Sequence, residues 1–155
     1  MAIGARSIGR IAYASLMNDT DHTTTPLFLA VGHCGPDGWM LRTAIQRVIP
    51  EAVVEDITGE AGLDERLGRA ADRPVVLLVN RKLDGDFDAV DGIELIERRR
   101  DGRHVSMLVT NLPDAAAAAE AAGALPGFGK SDLHGESTSN ALREAVEAAV
   151  TRGPA

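Results

Sequence analysis

Between Leu27 and Val150 the chain alternates short apolar runs with stretches of helical period, and that alternation leaves few folds open. LFLAVG (27–32) is continuous, apolar and of strand length, as expected of a strand buried on both faces. AVVEDI (52–57), VVLLVN (75–80) and HVSMLVTN (104–111) repeat the pattern, and a short extended piece around Phe128 to Lys130 makes a fifth. DGWMLRTAIQRV (37–48) reads as a helix with Asp37 as N-cap, carrying Trp39, Met40, Ala44 and Val48 on its inner side with Ile45 beside them. GLDERLGRAA (62–71) is a short helix. GIELIERRR (92–100) is another, with Ile93, Leu95 and Ile96 inward and three arginines at its C-terminal end, where they complement the dipole. Pro113 and Asp114 open an Ala-rich helix through Ala122, and ESTSNALREAVEAAV (136–150) is the last, with Ser137 or Ser139 to cap it.

Strands alternating with helices in units of this size predict βαβ connections, hence a parallel sheet with helices on both faces. Right-handed crossovers prune the remaining topologies. Five strands suit the flavodoxin-like α/β three-layer sandwich of order 2-1-3-4-5, whose sites lie at the C-terminal ends of strands 1, 3 and 4. Aromatic residues are 3% of the chain, so Ala, Val, Leu and Ile must build the core. The expected unit is one domain over residues 26–150 with a tail at 151–155. Residues 1–25 form an N-terminal extension and linker. Its first part, MAIGARSIGRIAYASLM, carries Arg6 and Arg10 with no acid and places Ile8, Ile11, Ser15 and Leu16 on one helical side. It is a short helix, a targeting peptide, or sequence ahead of a true start at Met17. NDTDHTTTP (18–26) has linker composition.

The formal charge of −7 disfavours nonspecific nucleic-acid binding, which requires a basic face to release counterions. No apolar run is long enough to span a bilayer. The single Cys34 excludes an internal disulfide and fits a reducing, cytoplasmic setting.

Several short stretches carry possible chemistry. ALPGFGKS (Ala124–Ser131) has the spacing of a phosphate-binding loop, with Ala124 where the strict pattern has Gly. Against a nucleotide there, the rest of the chain reads as one helix, with no room for a Mg²⁺-holding strand, and Pro126 removes an N–H from the cradle. His33 and Cys34 stand in the turn before a helix, a position that favours a thiolate. They could begin a Zn²⁺ or Cu site, with His104 and His134 as the other candidate ligands, but no second spaced pair exists. A Cys-phosphatase loop would need Arg where Met40 stands. Asp84, Asp86 and Asp88 begin like a calcium loop, but Ala89 replaces its Gly and Leu95 its closing Glu, leaving a solvated acidic loop.

The chain resembles the receiver domain of two-component response regulators from about Leu27 to Val150. LAVGHCGPD is similar to the family's first strand and acidic loop. VVLLVNRKLDG followed by DGIELIERRR is similar to its phosphoacceptor strand, loop and third helix. MLVTN resembles the strand ending in the switch Thr, and FGKSDL the segment with the invariant Lys, Ser131 replacing the usual Pro. The resemblance implies a site made of Gly32, His33, Cys34, Asn80, Thr110 and Lys130. It also implies a degenerate one: Asn80 stands for the acceptor Asp, and Gly32, His33 and Cys34 for the Mg²⁺-holding acids. A pseudo-receiver of this kind is expected to be no enzyme and to need no cofactor. It would signal by phosphorylation-independent protein contact or self-association, through the face formed by the helix from Pro113, the fifth strand and the last helix. Lys130 is then expected near Asn80 and Thr110, bonded to the Asn80 side-chain oxygen, a backbone carbonyl, or one of Asp84, Asp86 and Asp88. The alternatives from other classes are a small thiol- or metal-dependent enzyme built on Cys34 and His33, and a nucleotide binder using Ala124–Ser131.

Overall fold

The computed structural model describes residues 25–70 and 72–152. In chain order the elements are β1 (Leu27–Val31), α1 (Gly35–Val48), β2 (Val53–Ile57), α2 (Glu60–Gly68), β3 (Val75–Asn80), α3 (Gly92–Arg98), β4 (Val105–Val109), α4 (Pro113–Ala121), β5 (Leu125–Phe128), a 3₁₀ turn (Lys130–Asp132) and α5 (Glu136–Arg152). The strands form one parallel sheet in the order β2-β1-β3-β4-β5, the flavodoxin-like order expected. Reading MAIGARSIGRIAYASLM as a helix or leader, and most of NDTDHTTTP as a linker, concerns residues outside those described.

The three-layer arrangement follows from the apolar runs. All five residues of β1 are buried, and successive side chains point to opposite faces. Phe28 and Ala30 pack with Leu41 and Ile45 of α1 and with Leu142 and Ala145 of α5. Leu27, Leu29 and Val31 pack with Leu63 of α2, Leu95 and Ile96 of α3 and Ala119 of α4. Each fully buried Leu, Ile or Phe contributes roughly 1.5–3 kcal/mol by leaving water.

Four local expectations are corrected. Helix α1 starts at Gly35 with Cys34 as N-cap and no side-chain cap bond, so Asp37 lies inside the first turn and caps nothing. Its buried face is Gly38, Leu41, Ala44 and Ile45, a stripe that excludes Trp39 (65% exposed) and Met40. Strand β5 is LPGF (125–128), ahead of the stretch expected to extend, and Lys130 opens the 3₁₀ turn instead. Pro126 is tolerated because β5 is an edge strand paired only with β4. Ser137 and Ser139 do not cap α5 by accepting. Ser137 Oγ donates to Asp132 Oδ2 and Ser139 Oγ donates back to the Gly135 carbonyl. Among the described residues no helix is long and apolar enough to cross a membrane.

Candidate functional site at the C-terminal edge of the sheet

Strand β1 runs into Gly32, whose φ of 77° is a left-handed turn conformation. A Cβ there would lie 2.6 Å from the Leu83 side chain, so the turn sits closely under the loop that follows β3. Asn80, the last residue of β3, ties the two together. Its Nδ2 donates to the Gly32 carbonyl at 3.1 Å and to the Lys82 carbonyl at 2.8 Å. Both bonds use amide hydrogens that a carboxylate does not have.

The loop then crosses the end of β1 toward β2. Asp84 N donates to the Gly32 carbonyl and Asp86 N to the Thr58 carbonyl, each at 2.9 Å, while Glu60 N donates to the Asp86 carbonyl at 3.0 Å. The side chains of Asp84, Asp86 and Asp88 remain at the surface. The acid that organises the loop is Glu60. Its Oε1 accepts from Asp88 N at 2.7 Å and Ala89 N at 3.2 Å, and its Oε2 meets Arg99 at 3.2 Å. Burial opposes ionisation of Glu60, but the Ala89 and Asp88 amides and the Arg99 guanidinium outweigh it and hold its carboxyl below the usual range. Sequence reasoning missed Glu60, since nothing local distinguishes it from any acid in a helix's first turn.

His33 is buried, and its Nε2 lies 2.9 Å from the Leu78 carbonyl. Loss of hydration pushes its pKa down to about 4, with Lys130 adding to the effect, so the ring is neutral near pH 7. Its Nδ1 has no partner among the described residues. With Nε2 donating to Leu78, Nδ1 is left as a bare acceptor.

Lys130 finds a partner other than those expected. Its Nζ lies 2.6 Å from Asp37 Oδ2, and it bonds neither Asn80 nor Asp84, Asp86 or Asp88. The early start of α1 explains this, because it brings Asp37 onto the first turn, beside the 3₁₀ turn that carries Lys130. Lys130 holds the Asp37 carboxyl below the usual range, and a hydrogen bond from the half-buried Cys34 thiol acts in the same direction. Thr110 Oγ1 accepts from Leu112 N at 3.1 Å, a turn contact at the start of α4. Its neighbour Asn111, not singled out from sequence, accepts from both Ser131 N (3.2 Å) and Ser131 Oγ (3.0 Å) and fixes the segment behind Lys130.

The structure therefore gathers Gly32, Asn80 and the acidic loop into one cluster, and His33, Cys34, Asp37 and Lys130 into another beside it. Ala124–Ser131 is not an open loop. Leu125–Phe128 is strand, and the Phe128 carbonyl accepts from Thr110 N at 3.0 Å. A phosphate cradle between a strand and a helix is absent from that segment. Among the described residues no three His, Cys, Asp or Glu side chains are grouped to hold a metal ion. His104 lies apart from His33, at the start of β4, and the exposed His134 instead contacts Arg47 at 3.0 Å.

No protein-family model matches the chain, and no curated protein matches it in sequence. Solved structures do match. The receiver domain of a DNA-binding response regulator from Colwellia psychrerythraea 34H is 16% identical with a TM-score of 0.59, over 79% of this chain and 98% of that one. The non-phosphorylated receiver domain of the stress response regulator RcsB from Escherichia coli is 20% identical with a TM-score of 0.59, over 81% of this chain and 92% of that one. A response regulator receiver domain from Rhodospirillum rubrum is 16% identical with a TM-score of 0.52, over 77% and 90%. The chain has the receiver-domain fold.

Proposed function

We propose that residues 26–150 form a receiver-like signalling domain that works without phosphate. It is not an enzyme, and it acts in the cytoplasm through contact with a protein partner or with a second copy of itself. The observation that carries this is the engagement of Lys130 with Asp37 at 2.6 Å. On the receiver resemblance this lysine would meet the phosphoryl group. Here its charge is already matched within the chain.

The neighbouring positions support the same reading. Asn80 stands where the resemblance puts the acceptor, and an amide cannot form the acyl phosphate that a carboxylate forms. Its Nδ2 is engaged with two carbonyls. Gly32, neutral His33 and Cys34 offer none of the hard side-chain oxygens that Mg²⁺ takes. The contact face we assign is α4, β5 and α5, which carries Leu112 (51% exposed) at its N-terminal boundary and Val150 (58%) at its other end.

Acetyl phosphate with Mg²⁺, followed by intact mass measurement, tests the proposal. The natural chain should show no added phosphoryl group. Efficient phosphorylation of the natural chain, at any of Asp37, Asp84, Asp86 or Asp88, would refute it.

A further inference from the structure

The loop ahead of α3 holds an apolar side chain out in solvent. Val90 is 81% exposed. A single exposed valine is ordinary, but this one is fixed in place. The amides of Asp88 and Ala89 donate to Glu60 Oε1 at 2.7 and 3.2 Å, and the amide of Val90 donates to Glu94 Oε1 at 2.6 Å. Asp91 then caps α3, its side chain accepting from Glu94 N at 2.9 Å. With such a cap, the residue before it often folds onto the fourth residue of the helix as a hydrophobic staple. Here those two are Val90 and Leu95, and the staple is not made: Leu95 is fully buried in the core while Val90 faces water. The side chains of Asp84, Asp86 and Asp88 stand in solvent ahead of it. The loop is thus a preformed acidic projection with an apolar tip, and a preformed projection loses little entropy on being bound.

The surface that complements it lies on α1. Trp39, the chain's one tryptophan, is 65% exposed and Met40 39%. Thr43 and Arg47 continue the same stripe at helical spacing. None of the exposed positions of α1 is acidic, although the chain as a whole carries −7. Arg47 contacts the imidazole of His134 at 3.0 Å rather than a carboxylate. A tryptophan beside an arginine is the composition of an interface anchor.

The two surfaces do not meet within one molecule. α1 packs on the side of the sheet formed by Phe28 and Ala30, whereas α3, which the loop enters, packs on the side of Leu27, Leu29 and Val31. We propose that they meet between molecules: the Val90 loop of one copy seats on the Trp39 and Met40 face of the next, with Asp88 facing Arg47. Because the contact joins two different patches, each pair leaves one patch of each kind open, and the association runs head to tail. It uses neither α4 nor β5 nor α5 and is independent of the signalling face assigned to them.

Sedimentation velocity of the full chain from micromolar to millimolar concentration tests this, with the emission of Trp39 as a second reading. The average mass should rise with concentration while the emission moves to shorter wavelength. Val90→Ser and Trp39→Ser both change exposed positions, and each should weaken association about tenfold or more, the effect of losing one buried apolar side chain. Mixed in equal amounts, the two variants should form a one-to-one pair that grows no further, because the Trp39→Ser copy keeps the loop and the Val90→Ser copy keeps the seat. A natural chain that stays monomeric at millimolar concentration overturns the proposal. So does self-association that survives either variant, which would move the contact to α4, β5 and α5 or pair α1 with α1. A mixture of the variants that stays monomeric overturns it as well.

Discussion

Burial of two imidazoles should make the stability of this protein fall in a pH window where few other groups titrate. His33 and His104 are both lowered from 6.5 to about 4, chiefly by desolvation. A histidine whose folded pKa is depressed takes up its proton more readily in the unfolded chain. Its neutral burial therefore costs nothing above about pH 6.5 and progressively weakens the fold as pH drops toward 4. At 1.36 kcal/mol per pKa unit, lowering the pH from about 7.5 to about 5 removes about 2 kcal/mol per ring, or about 4 for the pair. That is a large share of the roughly 5–15 kcal/mol that holds a domain together. Asp37, Glu55 and Glu60 have lowered carboxyl pKa values, so the stability they contribute is lost only below their ordinary values of 3.8 and 4.5. The interval between about pH 6.5 and 5 thus belongs to the histidines. His33→Gln removes one titration and keeps an N–H able to donate to the Leu78 carbonyl. Urea unfolding at the two pH values should show a drop of about 4 kcal/mol in the natural chain and about 2 in the variant. Equal drops in both proteins, or a His33 NMR titration midpoint near 6.5, would refute the reasoning.

The Lys130–Asp37 pair is about 30% exposed on each side, so a double-mutant cycle of Lys130→Met and Asp37→Asn in urea should give a coupling of about 0.5–1 kcal/mol. Because the Asp37 carboxyl is lowered, that coupling should be complete above pH 3.8 and fade as the pH falls further; a coupling of zero at pH 7 would refute the pair. Leu78→Ala, at a fully buried position in β3, should cost about 2–5 kcal/mol in the same assay, and a loss below about 1 would mean the core closes around the gap. Asn80→Asp should destabilise the fold by about 1–3 kcal/mol near neutral pH, since a carboxylate would face the Gly32 and Lys82 carbonyls. It should gain little phosphorylation from acetyl phosphate; an unchanged thermal midpoint would show that the amide bonds contribute nothing.

What could be read from the sequence was set by burial. β1, β3 and β4 are enclosed on both faces, so each appears as an unbroken apolar run, and right-handed crossovers do the rest. β5 is a half-exposed edge strand, LPGF, whose Pro and Gly resemble a turn, so the apolar pattern points to a strand later in the chain than the one that forms. Hydropathy does not mark the inner face of α1, because Trp39 and Met40 are apolar yet point outward, while Gly38, which is buried with the Asp56 carboxylate close to it, carries no hydropathy signal at all. At the site, Asn80 and Thr110 could be assigned to strand ends from their place in the runs, whereas Lys130 lies past the end of β5 in the 3₁₀ turn. The partner of Lys130 could not be assigned. Asp37 is 93 positions away and in sequence looks like an N-cap, a role that passes to Cys34, three residues earlier, because α1 begins at Gly35.

The bonds at the sheet edge share one electrostatic logic. A site that recruits a metal ion and a phosphoryl group must keep acids close together and a lysine in want of an anion, an arrangement that is costly until the ligand arrives. Here the acids are spread out. Asp37 is matched to Lys130, Glu60 to Arg99 and two amides, and Glu55 to Arg66 at 2.7 Å. Asp84, Asp86 and Asp88 face water while their backbone groups fasten the loop. Where Asn80 sits, the groups pointing inward are the carbonyls of Gly32 and Lys82, which suit an amide and repel a carboxylate. With Asp37, Glu60 and Glu55 each paired within the chain, the proposed phosphate-free role predicts that this edge gains little from an added anion.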